Sequence, residues 1–271
     1  MIKKESSAEK YDNFINVRFL LVSEMRPRLL LMLLGSNNNL NTLRKELGKP
    51  SASVLHGLNE LESLNLIKKN FKNYSLSSKG VLYALALKKL FRDLYIFKTH
   101  VDFWKSHSIE SIPVEYFKSS YLLKDSVFVE SDEEDLSKSL NKTLKLLSSC
   151  EDMKIILPIF LEDHLEIILE NLERANSLIL ITTDEVLKSL KESNYYEKLH
   201  KFSKNNQLTI RKVEYELKIF LTVCDNAMAL NLFFIDGLFD NSCVIFNEKA
   251  EGVDWANQLF KFYLKRSNKI L

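Results

Sequence analysis

Glycine and proline are scarce in this sequence, six and four among 271 residues. So few breakers exclude a collagen-like or low-complexity chain and make long structureless linkers unexpected. Cysteine is scarcer still. Cys150, Cys224 and Cys243 are far apart and odd in number, which argues against a disulfide framework and fits a reducing compartment. Long hydrophobic runs are missing too. Met1 to Lys10 is polar, with no signal-peptide apolar core. Leu29 to Leu34 falls far short of the roughly 20 apolar residues a spanning helix needs, and Glu24, Arg26 and Arg28 interrupt anything longer. The expectation is a cytoplasmic protein with no membrane partner. A Gly-rich phosphate loop, Cys-x-x-Cys and His-Glu-x-x-His are all lacking. His56, His100, His107, His164 and His200 are scattered. No metal, cofactor or catalytic residue is therefore expected.

What is present is an ordinary folded composition, 46% hydrophobic and 27% charged, with a net charge of +2. That small number conceals a division. Up to Ser108 there are 18 Lys+Arg against 9 Asp+Glu, and beyond it 20 against 27. A basic first part suits a polyanionic partner, and an acidic second part does not.

The basic part has a recognisable order. In Ser23-Glu24-Met25-Arg26-Pro27, Ser23 can cap a helix, Glu24 suits its positive end, and Pro27 falls where backbone N–H groups lack partners anyway. Leu29, Leu30 and Leu33 continue it as an apolar stripe to Gly35. After a loop at Ser36 to Asn39, Leu40, Leu43 and Leu47 form the inner face of a short helix that turns Arg44 and Lys45 outward and ends at Gly48. A second helix follows Lys49-Pro50, with Val54, Leu58 and Leu61 on one face and Ser51, Ala52, Ser53 and His56 opposite. Two short helices around a Gly-containing turn, the second opening on small polar side chains, predict a helix-turn-helix. Leu66 to Phe71 and Tyr74 to Leu76 then predict a hairpin carrying Lys68, Lys69 and Lys72, a wing placed to contact phosphate. With no Arg or Lys between Ser51 and Leu61, base readout falls to Ser51, Ser53, His56, Asn59 or DNA shape. Arg44, Lys45 and Lys49 complete the expected double-stranded DNA surface. Gly57, inside a helix, calls for either close packing or close approach to DNA.

Residues Ser23 to Gly80 resemble archaeal winged-helix regulators in the run SEMRPRLLLMLL, LNTLRKELGKPSASVLHGLNELESLNLIKKN and YSLSSKG. Phe103-Trp104, Ile112-Pro113 and Glu130-Ser131 extend that likeness to the methanogen family carrying a methanogenesis-regulatory (Fil-type) C-terminal domain. The resemblance implies DNA binding and transcriptional control, and it supplies no catalytic residues.

Beyond the wing, Ser77 or Ser78 can cap a helix predicted to reach about Trp104. Tyr83, Leu87, Leu90, Leu94, Phe97, Val101 and Trp104 make a heptad seam along it. The seam suits either a homodimer or packing on the chain's own C-terminal domain, since Leu82, Leu85, Phe91 and Tyr95 widen the apolar face. From Ser126 on, seven strand candidates alternate with helices near 134–149, 163–175, 184–191, 195–204 and 252–266, which predicts an α/β sheet covered by helices. Ser131 with Glu134 reads as a capping box, and Thr182 to Glu185 repeats the pattern.

The order of elements is similar to phospholipase-D-like sensor domains of archaeal sugar-responsive regulators. Catalysis there requires His-x-Lys followed by Asp, whereas this chain has Glu216-Leu217-Lys218 and a late Asp225. Without an imidazole no nucleophile stands at that place. The expected fold is thus α+β or α/β: a winged helix-turn-helix at 14–80, a long connecting helix and linker at 81–112, and a non-catalytic α/β sensor at 113–271. The sensor would answer to a small-molecule or protein effector. Thr182, Thr183, Asp225 and Asp236 fall near strand ends, where such sheets bind ligands, but each reads equally as a cap or turn residue and none is singled out.

Overall fold

The computed structural model describes residues 14–174 and 176–271. It divides into two compact units, one ending at Arg92 and the other running from Asp93 to Leu271.

In the first unit, α1 (Phe14–Leu21) and α2 (Met25–Gly35) precede β1 (Asn38–Asn39), α3 (Leu40–Leu47) and α4 (Ser51–Ser63). β2 (Ile67–Asn70), β3 (Asn73–Leu76) and α5 (Ser78–Asp93) complete it, and the strands pair antiparallel in the order β1-β3-β2. Leu29, Leu30 and Leu33 of α2, Leu43 of α3 and Val54, Leu58 and Leu61 of α4 share one core with Leu20, Tyr74 and Ala84. The stripes that predicted α2 to α4 are the faces they bury. No apolar period announced α1.

Two glycines are fixed by close approach. A Cβ on Gly57 would lie 2.9 Å from Met25 Cγ and 3.0 Å from Leu29 Cδ1, so packing of α4 on α2 accounts for it. A Cβ on Gly80 would meet the Leu66 carbonyl oxygen at 1.8 Å. Ser77 Oγ accepts from Gly80 N (2.9 Å) and donates to Asn65 O (2.6 Å), capping α5 against the end of the α4–β2 connection.

The helix expected to reach Trp104 is instead divided: α5 stops at Asp93, and α6 (Tyr95–Thr99) and α7 (Val101–Ser106) follow. The break at His100 (φ −132°) turns Ile96 and Phe103, neither a seam residue, into the core of the second unit. Trp104 Nε1 donates to Ile96 O, and Phe97 packs edge-on against Trp104 at 4.9 Å. Burial within their own unit therefore claims two of the seam's last three members, leaving Leu90, Leu94 and Val101 exposed.

The second unit continues through α8 (Val114–Phe117), a 3-10 turn at Ser120–Leu123, β4 (Val127–Glu130), α9 (Lys138–Ser148), β5 (Asp152–Leu157), α10 (Glu162–Glu173) and β6 (Ser177–Thr182). Then come α11 (Asp184–Glu192), α12 (Tyr196–Lys204), β7 (Leu208–Lys212), β8 (Ile219–Val223), β9 (Met228–Leu232), β10 (Cys243–Asn247), α13 (Ala250–Lys265) and β11 (Asn268–Lys269). Eight strands form one sheet, β11-β7-β6-β5-β8-β9-β10-β4. β5, β6 and β7 run parallel through helical crossovers, and the rest pair antiparallel. Alternation along the strands feeds two cores. Phe220 of β8 and Cys224 just after it join α9 to α12 on one face, while Ile219, Leu221 and Val223 join α13, Ile96 and Phe103 on the other.

Two expectations about this unit are corrected. The run Ser131 to Asp135 is not the first turn of α9: Asp132 Oδ1 accepts from the N–H of Glu134 and Asp135, and the helix begins later, with Ser131 Oγ accepting from Ser139 N. A tight Asx-type turn has outcompeted the capping box. At α11 the cap is Thr183, bonded to Val186 N, and Thr182 instead donates to Leu157 O across the sheet.

The third correction concerns cysteine. Cys150 and Cys224 form a disulfide with Cα atoms 5.6 Å apart. Their separation of 74 residues misled, because the antiparallel pairing of β5 with β8 brings Cys150, two residues before β5, beside Cys224, the residue after β8. Reduction releases a long loop and should lower the unit's stability by about 2–4 kcal/mol. Chemical unfolding with and without dithiothreitol checks this, and coincident curves would refute the bridge.

Candidate nucleic-acid interface

α4 presents its polar residues on one side because its other side is full. Val54, Gly57, Leu58 and Leu61 are buried, while Ser51, Ser53, His56 and Asn59 are exposed. Pro50 precedes the helix, and no side chain caps it. Val54 N is the first N–H to find a backbone acceptor, on Pro50 O. The N–H groups of the first turn are therefore open donors at the positive end of the helix dipole. Arg44 and Lys45 lie on the exposed side of α3, and Lys49 follows its C-cap, Gly48.

An ion pair ties α4 to α2. Arg26 Nε and Nη2 reach the two carboxylate oxygens of Glu60 at 2.8 and 2.5 Å, Nη1 donates to Phe19 O, and the guanidinium stacks 3.6 Å over the Phe19 ring. That hydrogen bond holds the Glu60 carboxyl below its ordinary range. The Glu60 carboxylate also lies 3.3 Å from His56 Nε2, so this histidine is oriented from within its own helix. Nothing in the spacing of Arg26 and Glu60 along the chain announces this bidentate fork.

In the hairpin, Lys68 opposes Ser75, Lys69 opposes Tyr74 and Asn70 opposes Asn73, leaving Phe71-Lys72 as the turn. Lys68, Lys69 and Lys72 are all exposed, and none of the described ion pairs involves them. Phe71 was missed by the sequence reading. It holds a left-handed backbone (φ 53°), rare for a bulky residue at a cost of roughly 1–2 kcal/mol, and 93% of its surface is exposed. An aromatic ring held in water at the tip of a basic hairpin has no packing explanation in its own unit.

Among the described residues of the second unit, Lys218 and Asp225 stand at opposite ends of β8. Lys218 lies beside Glu216 and Glu110, and Asp225 is an exposed residue past the far end of β8. An extended strand rises about 3.3 Å per residue, so Lys218 and Asp225 cannot meet. Ser106, His107 and Asp240 adjoin: Ser106 Oγ donates to Asp102 O and lies 3.0 Å from His107 Nδ1, which also faces Phe103 O at 2.7 Å, and His107 Nε2 lies 2.9 Å from Asp240 Oδ2. Among the described residues no cluster of His, Cys, Asp and Glu has metal-site geometry, and no helix is long and apolar enough to cross a membrane.

His164 in the first turn of α10 is 2% exposed, and neither ring nitrogen has a hydrogen-bond partner. Burial pushes its imidazole down from 6.5 to about 4, against the pull of Asp163. The unfolded chain therefore takes up this proton at higher pH than the folded one. The stability held by the neutral ring is complete above about pH 6.5 and is lost as pH falls towards about 4, a span of roughly 3 kcal/mol. Unfolding curves of the wild type and His164→Leu should diverge across that window, with the variant the flatter. Parallel pH profiles would show the ring to be solvated.

Two family descriptions match the chain: "Methanogenesis regulatory protein FilR1, N-terminal domain" over residues 14–95 and its "middle domain" over residues 136–266. A curated relative, methanogenesis regulatory protein FilR1 of Methanothrix harundinacea (strain 6Ac), is 26% identical over 97% of this chain. The chain spans 59% of that relative's length. Among solved structures, TrmBL2, described as an archaeal chromatin protein with a novel mode of DNA binding, covers 97% of this chain and 100% of its own at 14% identity, TM-score 0.44. NUC of Salmonella typhimurium, a phospholipase D family member, covers 54% of this chain and 97% of its own at 9% identity, TM-score 0.40. Both structural likenesses are too loose to argue from. The domain matches are to the N-terminal and middle domains of a methanogen regulatory protein. The chain belongs to the FilR1 family, with that family's N-terminal and middle domains in order.

Proposed function

We propose that the chain is a DNA-binding transcriptional regulator in which the first unit is a winged helix. The tip of α4 enters the major groove with Ser51, Ser53, His56 and Asn59 towards base edges, and Arg44, Lys45 and Lys49 flank it. Lys68, Lys69 and Lys72 on the β2–β3 hairpin contact phosphate. The observation that carries this reading is the segregation of α4, whose apolar side is wholly buried while its uncapped first turn and small polar side stay open beside an unpaired lysine hairpin. Phe71 joins the reading as an apolar contact at the wing tip, suited to the sugar edges of a minor groove.

The second unit, in the same proposal, senses an effector. Two copies pair to set the spacing of the winged helices, with the exposed Leu82, Leu85, Leu90 and Phe91 of α5 as the apolar surface available to them. Light scattering on the eluted protein reads the oligomeric state. The test of the whole is affinity for fragments of its own promoter over a salt series. Binding should fall with a log–log slope of about −0.9 for each phosphate neutralised. A slope near zero, or affinity no better than that of an acidic control protein, would leave the helix-turn-helix as a protein-docking module.

A further inference from the structure

The second unit contains a cavity of about 230 Å³ where four elements converge. The N-terminal half of α9 supplies Ser139 and Thr143, the first turn of α10 supplies His164, and Phe220 and Asn231 face each other across β8 and β9. Phe239, from the loop before β10, closes one side. Phe220 lies opposite the end of β5 by the register of the sheet, so the cavity sits at the carboxyl end of a parallel strand, where open α/β sheets bind ligands.

Two of its polar groups have nothing to bond. Ser139 is 1% exposed and His164 2%, and neither the Ser139 hydroxyl nor either nitrogen of His164 has a hydrogen-bond partner. Buried polar side chains are normally satisfied, and those that are not call for a missing partner. Two neighbouring donors are turned elsewhere: Thr143 Oγ1 donates back to Ser139 O, and Asn231 Nδ2 donates to Cys243 O. Opposite these groups stands an apolar wall, with the Phe220 ring 5.0 Å from His164 and 6.2 Å from Phe239.

The charges choose among ligands. No lysine or arginine lines the cavity, whereas Glu162 and Asp163 stand at its edge. A carboxylate or phosphate would face those two acids with no cation to meet it, and because both acids are exposed, an ammonium set on His164 and Ser139 would be desolvated without a buried counter-charge. A neutral imidazole offers one donor and one acceptor, and a hydroxyl offers both, which is the complement of an uncharged amide or alcohol. A dry cavity of about 150 Å³ suffices to hold benzene, so this one accommodates a ring with a polar substituent.

We infer that this cavity is a binding site for a small uncharged molecule, with its amide or hydroxyl edge on His164 and Ser139 and its apolar edge on Phe220 and Phe239. The inference rests on the reading of the second unit as a sensor for its regulatory meaning. Its test is made without DNA, so that either can fail alone. The full chain is titrated with benzamide, benzyl alcohol, benzoate and benzylamine, which share one ring and differ in the charge of the polar edge, while the His164 ring signals are followed by NMR. Benzamide or benzyl alcohol should bind saturably and move those signals. Benzoate and benzylamine should bind at least about tenfold more weakly, or not at all. Ser139→Leu, which fills the space, should abolish binding, and Ser139→Ala, which removes only the hydroxyl, should weaken it several-fold and serves should the larger residue disturb folding. Equal binding of benzoate or benzylamine, no saturable binding of either neutral probe, or undiminished binding to Ser139→Ala would overturn the assignment.

Discussion

Replacing Lys68, Lys69 and Lys72 together with alanine is expected to reduce affinity for DNA by several hundredfold near 0.1 M salt. If each lysine neutralises one phosphate, each accounts for about 0.9 in the slope of log affinity against log salt. Taking roughly 1 M as the point where that gain vanishes, the three together are worth about 2.7 powers of ten per wing at 0.1 M. The variant should lose slope as well as affinity, by about the same 2.7, and the loss should be similar for all sequences because phosphate contacts carry no base information. Folding should be untouched, since all three side chains are exposed and lack ion-pair partners among the described residues. An affinity within about threefold of wild type, or an unchanged slope, would remove the hairpin from the interface. A loss confined to one promoter would instead point to base reading by the hairpin.

The contrast between α4 and its surroundings shows what a sequence reveals and what it hides. The period of Val54, Leu58 and Leu61 declares the buried face of α4, and the polar face is its geometric complement. Strand runs bounded by turn residues likewise disclosed β4 to β10 to within a few positions, because a sheet buried on both faces demands near-continuous apolar segments. Pairing between distant residues left no such trace. Arg26 with Glu60, Cys150 with Cys224 and His107 with Asp240 are brought together by helix crossing and strand register. The heptad over Tyr83 to Trp104 was real as a pattern yet lost as a helix. Ile96 and Phe103, outside the seam, gain more by burial in the sheet's core than the seam offers a chain alone. Phe71 gave no local signal, because its interest lies in an exposure and a backbone angle that composition does not carry.

Asp240→Ala is expected to destabilise the second unit by about 3–5 kcal/mol, the cost of leaving one member of a buried pair alone. His107 and Asp240 have side chains 4% exposed each, and Nε2 lies 2.9 Å from Oδ2. The other oxygen of Asp240 accepts from the backbone N–H and hydroxyl of Ser242, shaping the turn into β10. His107 is sandwiched between Phe103 at 3.9 Å and Phe234 at 4.7 Å, with Nδ1 facing Phe103 O and Ser106 Oγ and Nε2 facing Asp240 Oδ2. The pair fastens the segment after α7 to the chain beyond β9, where Ser108 N donates to Phe233 O and Ile235 N to Ser106 O. Alanine at 240 leaves His107 Nε2 and the N–H and hydroxyl of Ser242 without that carboxylate. Asp240→Asn keeps an oxygen for Ser242 and should be the milder change. Adding His107→Leu to Asp240→Ala should restore part of the loss, because an apolar pair avoids the stranded imidazole. Denaturant unfolding of the four proteins reads the coupling directly. Both residues lie beyond Asp93, so the shift is read from probes within the second unit. A loss below about 1 kcal/mol, or strict additivity in the double variant, would mean that water already serves the histidine.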